Sequence, residues 1–351
     1  MNQDIYIGSK TIGENVPCFI IAELSANHNH SLTRAKELIK SAADCGVDAI
    51  KMQTYTPETM TIDCDNEYFQ VKHPIWGGQT LYQLYAKAYT PWEWHAELKS
   101  YAESLGLILF STPFDNTAVD FLETLEMPCY KIASFELVDI PLIKYIASKQ
   151  KPIIMSTGMG SEEEIDLAVK TILAEGNDEL ILLKCTSSYP ANVAEMNLLA
   201  IQTLQEKYGV CVGLSDHSMS NDISIAAVCL GAKVIEKHFT LSRKDEGPDS
   251  HFSLEPEEMK NLVQSIRDIE DAFGSGKIEP TKEELNSIIF RRSLFVVKDM
   301  KVGDVFTKEN VRSIRPGNGL APKYYFDVLG KKALVDLICG TPLCITDVNG
   351  L

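Results

Sequence analysis

The chain lacks a surplus of positive charge, a long apolar run and any paired-cysteine motif, and each absence excludes something. Its 33 Lys and Arg stand against 49 Asp and Glu, a formal net charge of −16. That balance argues against nucleic-acid binding, which needs a basic stripe. No apolar stretch approaches the length of a membrane span, and the opening MNQDIYIGSK has no signal-peptide core. The nine cysteines lie scattered through apolar runs without a CxxC pair. They read as reduced thiols of a cytoplasmic protein. Cys185, beside the polar run at 186–189, reads as core packing, with a reactive thiol as the alternative.

What is present is ordinary in amount and informative in order. At 351 residues, 45% hydrophobic and 23% charged, the chain has the composition of a soluble globular protein with one large and one small domain. Eight apolar runs recur: 19–24, 49–54, 107–113, 129–134, 152–158, 180–187, 210–217 and 234–240. Between them, stretches such as LTRAKELIKSAADCG carry apolar residues at helical spacing and often end near glycine. Eight β-α units of this size predict an α/β fold, a TIM (β/α)8 barrel, with polar residues gathered at the strand ends. The opening IYIGSKTIGENVP reads as a hairpin closing the barrel floor. Residues 55–95 form a long, aromatic-rich insertion, read either as a lid or substrate-facing wall or as packing over the barrel mouth. A turn-rich, β-rich module follows the linker FGSGKIEPTKEE, so the domains are assigned as 1–280 and 281–351.

The strand ends carry the candidate chemistry. His217 and His238 each end a short apolar run, with Ser215 and Glu236 on their respective faces. The spacing is wrong for a helical HExxH site and right for adjacent parallel strands, so the pair could hold a divalent ion at a barrel mouth. Satisfaction of local hydrogen bonds is the alternative. Lys51, Lys131 and Lys184 sit in otherwise apolar strands, where a lysine is costly unless it meets an anion. With Ser111, Thr112, Ser134, Ser156, Thr157, Ser187 and Ser215 near the same level, they suggest a phosphate and carboxylate cradle. Helix capping is the competing role for any single hydroxyl. Glu23 and Asp249 are the candidate acids, one able to act as a general base or orient a water. His28, His30 and His251 are weighed as further ligands or as solvated loop residues.

In order, IAELSANHNHSLTRAKELI, KMQT, FSTPFD, YKIASFE, STGM, CTSSYP, LSDHS, EKHFT and EGPD resemble the sialic acid (N-acetylneuraminic acid) synthase family. RRSLFVVKDMKVGD and IRPGNGLAP resemble that family's antifreeze-like (SAF) domain, and WGGQTLYQLYAKAYTPWEWH and SFELVDIPLI are similar to its pseudaminic acid synthase branch. The resemblance implies a metal-dependent condensation of phosphoenolpyruvate with an open-chain acetamido sugar, giving a nine-carbon 2-keto acid and phosphate. The acceptor would be 2,4-diacetamido-2,4,6-trideoxy-L-altrose in the pseudaminic branch. In the sialic or legionaminic alternative it would be N-acetylmannosamine or a related sugar.

It further implies that His217 and His238 bind a divalent ion (Mn, Mg or Co) and that Glu23 handles a proton or water. Lys51, Thr112, Lys131, Ser134, Ser156 and Ser215 would hold phosphoenolpyruvate. Ser187 would join them, although it stands where sialic acid synthases generally have Asn. Gln53, Tyr189 and Asp249 would face the sugar, and Arg315 would reach across a domain-swapped homodimer, with a structural pairing to a nearby acid as its alternative role. A metal-dependent aldolase using pyruvate, and a non-catalytic sugar-binding protein, are the competing classes.

Overall fold

The computed structural model describes residues 4–72, 76–245 and 247–351. It divides into two compact units, Met1–Gly274 and Ser275–Leu351.

The first unit is a closed barrel of eight parallel strands. A hairpin of β1 (Ile5–Ile7) and β2 (Lys10–Ile12) precedes β3 (Phe19–Glu23), β4 (Ala49–Thr54), β5 (Ile108–Pro113), β6 (Tyr130–Ile132), β7 (Ile153–Ser156), β8 (Leu180–Cys185), β9 (Cys211–Asp216) and β10 (Val234–His238). Strands β3 to β10 run in chain order around the barrel, and β10 closes on β3. Helices alternate with them: α1 (Leu32–Cys45), then α2 (Pro57–Met60) and α3 (Leu81–Ala88) in the insertion, α4 (His95–Ser104), α5 (Asn116–Thr124), α6 (Ile140–Ala147), α7 (Glu162–Ala174), α8 (Ala200–Tyr208), α9 (Asn221–Cys229) and α10 (Pro256–Phe273). Their starts follow the chemistry of the chain: Ser31, Asp115, Asp139 and Ser161 each accept from a first-turn backbone N–H as N-caps.

Both faces of each strand are covered, which is why the strands read as nearly continuous apolar runs. Ile20, Ile50, Leu109 and Leu182 pack outward under the helices. Ile21, Ala49, Phe110, Ile154 and Leu183 point inward and meet Ile5, Ile7 and Ile12 of the hairpin, which closes the barrel interior as expected. Gly213 is required where β9 passes β10. A Cβ there would lie 2.3 Å from the Val234 carbonyl oxygen and 2.6 Å from Leu183.

The second unit has its own core, including Leu294, Val296, Phe306 and Leu343. Strands β11 (Ser293–Val296) and β12 (Val311–Ile314) pair antiparallel, supplemented by isolated bridges such as Met300–Leu337. No helix among the described residues is long and apolar enough to cross a membrane.

Candidate active site

Above the apolar plug, the inward positions of the same strands become polar. Alternation along β3, β4, β6, β7, β9 and β10 brings Glu23, Lys51, Gln53, Lys131, Ser156, Ser215 and Glu236 to the inner face, with His217 and His238 at the strand ends. A cavity of about 400 Å³ opens there, lined by Lys51, Gln53, Lys131, Ser134, Ser156, Tyr189, Ser215, His217, His238 and Asp249 among others. Ten predicted residues that stand far apart in sequence therefore share one wall.

The floor of the cavity is a buried charge cluster. Lys51 Nζ lies 2.8 Å from Glu23 Oε2 and 3.3 Å from Glu236 Oε1, and Lys131 Nζ lies 3.8 Å from the same Glu236 oxygen. Lys131 also donates to Ser156 Oγ at 2.7 Å, and Ser215 Oγ donates to Glu236 Oε1 at 2.9 Å. Two ammonium groups and two carboxylates thus compensate one another out of water, which is the condition for burying any of them. Burial pulls the Lys51 ammonium down to about 8, against the upward influence of Glu236. Burial acts to raise the Glu236 pKa, but Lys131 and Lys51 outweigh it and hold this carboxyl well below the usual range. An anion entering the cavity can take over these ammonium groups.

Ser134 and Ser187 stand together against Gly158, whose N–H donates to Ser134 Oγ at 3.1 Å. A Cβ on Gly158 would lie 2.2 Å from Ser187 Oγ and 2.7 Å from Ser134 Oγ, so only glycine leaves both hydroxyls in place. Thr112 Oγ1 is buried without a partner on the inner face of β5, but neither Thr112 nor Ser187 belongs to the described cavity wall.

The acids divide by their partners. Glu23 is fully buried and accepts from Ser25 N–H at 2.9 Å and from Gln53 Nε2 at 3.3 Å. Asp249 accepts from Ser25 Oγ at 2.5 Å, and burial raises its pKa. Sequence reasoning did not single out Glu136. It lines the cavity with one buried carboxylate oxygen unpartnered, and burial, opposed by Lys131, pushes its pKa up to about 7. A carboxyl at that value can give or take a proton near neutrality. Its one sequence signal was its place two residues after Ser134 in SFE.

Glu136 yields a pH prediction. Its carboxyl binds its proton more tightly in the folded chain (about 7) than at the ordinary 4.5, so it makes stability fall as pH rises between those values. Glu136→Gln should therefore gain about 1–3 kcal/mol over the wild type at pH 8 relative to pH 5. Urea denaturation of both proteins at the two pH values checks this, and an equal difference at both would contradict it.

The histidine rings lie 5.3 Å apart, centroid to centroid, at 58°. His217 Nδ1 is 3.1 Å from the Thr186 carbonyl, which can only accept, so Nδ1 carries the proton and Nε2 presents its lone pair. His238 Nδ1 is buried with no hydrogen-bond partner, and burial keeps that imidazole neutral. Burial acts to lower the His217 pKa, but Cys185 and the Thr186 carbonyl outweigh it and raise it, so this ring must give up a proton to bind a cation. With that proton lost, an uncommitted nitrogen on each ring fits a divalent ion. Among the described residues no third His, Cys, Asp or Glu completes a metal-binding group, so remaining ligands would be substrate or water. Tyr189 packs its ring 4.4 Å from His217. Cys185 is buried and lines the cavity, 3.9 Å from His217 Nδ1.

Some candidates lie elsewhere. Lys184 sits between the inward Leu183 and Cys185 and therefore points away from the cavity, where it donates to the Cys185 carbonyl at 2.7 Å. His28 is buried against Thr90, His30 packs on Tyr89, and the exposed His251 packs on Phe252, so none joins the pair. Arg315 is an exposed residue of the second unit.

The family model for the NeuB family matches residues 38–278, and that for the SAF domain matches 291–349. The chain belongs to the NeuB family. This NeuB-family chain is 46% identical to the pseudaminic acid synthase of Campylobacter jejuni strain 81-176, over 94% of its own length and 96% of that protein. It is 43% identical to the pseudaminic acid synthase of Helicobacter pylori, over 95% and 98%. Among solved structures, the N-acetylneuraminic acid synthetase of Leptospira borgpetersenii in complex with citrate matches with a TM-score of 0.73 at 36% identity, covering 82% of this chain and 96% of that one.

Proposed function

We propose that the protein is a pseudaminic acid synthase, condensing phosphoenolpyruvate with 2,4-diacetamido-2,4,6-trideoxy-L-altrose to give pseudaminic acid and phosphate. The observation that carries this reading is the buried Lys51–Lys131 floor facing two histidines across one cavity, in a chain related along nearly its whole length to pseudaminic acid synthases.

In this reading Lys51 and Lys131 take the phosphate and carboxylate of phosphoenolpyruvate, with Ser134, Ser156 and Ser215 donating hydroxyls and Thr112 and Ser187 completing the cradle. Gln53, Tyr189 and Asp249 hold the sugar, joined by Arg315 of the partner subunit in a domain-swapped homodimer. His217 and His238 hold a divalent ion (Mn, Mg or Co), which when bound supplies Lewis-acid polarisation of the aldehyde oxygen. Carbon 3 of phosphoenolpyruvate forms the new bond to the aldehyde carbon, and water adds at carbon 2. Glu23, anchored by Ser25 N–H and Lys51, takes the proton of that water, and the tetrahedral centre then expels phosphate by C–O cleavage. The protein works in the cytoplasm, in keeping with nine cysteines that are all free.

The test is turnover of the trideoxy altrose acceptor against N-acetylmannosamine, each with phosphoenolpyruvate and a divalent ion. Preferred turnover of the former with stoichiometric phosphate release is expected. Preference for N-acetylmannosamine, or condensation from pyruvate without phosphate release, would contradict the reading.

A further inference from the structure

Besides its charged floor, the cavity has an apolar wall. That wall comes from the insertion: Met60 of α2, Trp76, and Leu81, Leu84, Tyr85 and Ala88 of α3. The four α3 residues stand at i, i+3, i+4 and i+7, which places them on one helical stripe, here turned to the cavity. Apart from Tyr85, whose ring lines the cavity, the polar side chains of the same helix named next are committed elsewhere. Gln83 Oε1 accepts from Thr80 N–H at 3.1 Å in a capping box, Lys87 Nζ donates to Gln79 at 2.8 Å, and Tyr82 OH donates to Glu58 at 2.5 Å. Trp76 gives its indole N–H to the Pro248 carbonyl at 3.0 Å. Tyr55, edge-on to both Tyr85 and Phe114, continues the apolar wall.

Apart from the Tyr55 and Tyr85 hydroxyls, this wall offers hydrocarbon and few hydrogen-bond partners. An open-chain acceptor must place its aldehyde carbon at the histidines and the phosphoenolpyruvate floor, so its far end runs toward the wall. A methyl there is buried favourably, whereas a hydroxymethyl loses water and gains little in return.

We infer that α3 is the specificity element of the acceptor site: its Leu81–Leu84–Tyr85–Ala88 stripe selects sugars whose far end is deoxygenated, by enclosing the C6 methyl. This rests on the synthase reading above and adds to it the residues that choose among acceptors.

The experiment compares kcat/KM for the 2,4-diacetamido-2,4,6-trideoxy acceptor and for its 6-hydroxy counterpart in the wild type, Leu84→Ser and Lys87→Ala. The wild type should prefer the deoxy sugar by about 100-fold, the discrimination an apolar pocket achieves against an added hydroxyl. Leu84→Ser should shrink that preference to about tenfold or less, through loss of deoxy-sugar turnover, with the KM for phosphoenolpyruvate within about twofold of wild type. Lys87→Ala, at an exposed position of the same helix outside the cavity lining, should keep the full preference. Equal wild-type use of both sugars overturns the inference, as does an equal loss for both in Leu84→Ser or a matching shift in Lys87→Ala. Failure of the synthase reading looks different: no turnover of any trideoxy sugar, while N-acetylmannosamine is consumed.

Discussion

His217→Ala and His238→Ala are each expected to lower turnover at least about 1,000-fold and to abolish tight Mn²⁺ binding. Losing the group that stabilises charge at the reacting oxygen commonly costs on the order of 100- to 1,000-fold even for a single donor. In the proposed site each substitution removes one of the two histidine ligands. The geometry is consistent with that proposed role, since His217 Nδ1 is held by the Thr186 carbonyl and His238 Nδ1 is buried without a hydrogen-bond partner. Calorimetric titration with Mn²⁺ and steady-state kinetics check this, with circular dichroism as a control for folding. Chelation of the wild type should mimic both variants, and added divalent ion should restore the wild type alone. Unchanged activity and metal affinity in His217→Ala would remove the basis for a metal in this site.

Lys131→Met should lower kcat/KM for phosphoenolpyruvate by about 1,000-fold. Lys131 is 1% exposed and contributes one of the two buried ammonium groups that face the cavity floor. Its loss leaves Glu236 with Lys51 at 3.3 Å and the Ser215 hydroxyl, while an incoming trianion forfeits a charge-assisted contact in a low-dielectric setting. The fold should suffer as well, by on the order of 3 kcal/mol, because one of the two buried ammonium groups that offset Glu23 and Glu236 is removed. Lys131→Arg should not rescue, since a planar fork cannot occupy the position of a compact ammonium between Ser156 Oγ and the Ile132 carbonyl. A change of less than tenfold in Lys131→Met would mean that the anion binds elsewhere.

The barrel was legible because parallel strands are apolar on both faces and end in polar residues, so the eight runs announced both the strands and the level of the site. The small domain was legible from its turn-rich composition and its short strands. Within the site, strand parity decided what could be read. Lys51 and Lys131 share the inner face with Glu23 and Glu236, whose carboxylates lie against their ammonium groups. Lys184 is the same residue type in the same kind of run, but it lies one position out of phase with Cys185, so it faces outward. The run LILLKC is apolar on both sides of Lys184 and carries no alternation to expose that difference.

Two further features were hidden for other reasons. Glu236 was visibly on the face of His238, but only the folded barrel shows it between two lysines contributed by β4 and β6. Lys237, its neighbour, instead pairs at 2.8 Å with Asp216 on the outer side of the barrel and, through the Ser218 carbonyl, braces the loop that follows His217. Such pairings join positions distant in sequence, so local pattern cannot report them. The aromatic density of the insertion pointed to a wall, yet which face of α3 it presents depends on the capping and side-chain bonds that turn Gln83 and Lys87 away.

The central claim is that water attacks carbon 2 of phosphoenolpyruvate beside Glu23 and Lys51, so that phosphate leaves by C–O cleavage. Phosphoenolpyruvate carrying ¹⁸O in its bridging oxygen tests it directly, with the released phosphate read by mass spectrometry. Phosphate that carries the label is the predicted result. Phosphate that emerges unlabelled would place the attack at phosphorus and contradict the account.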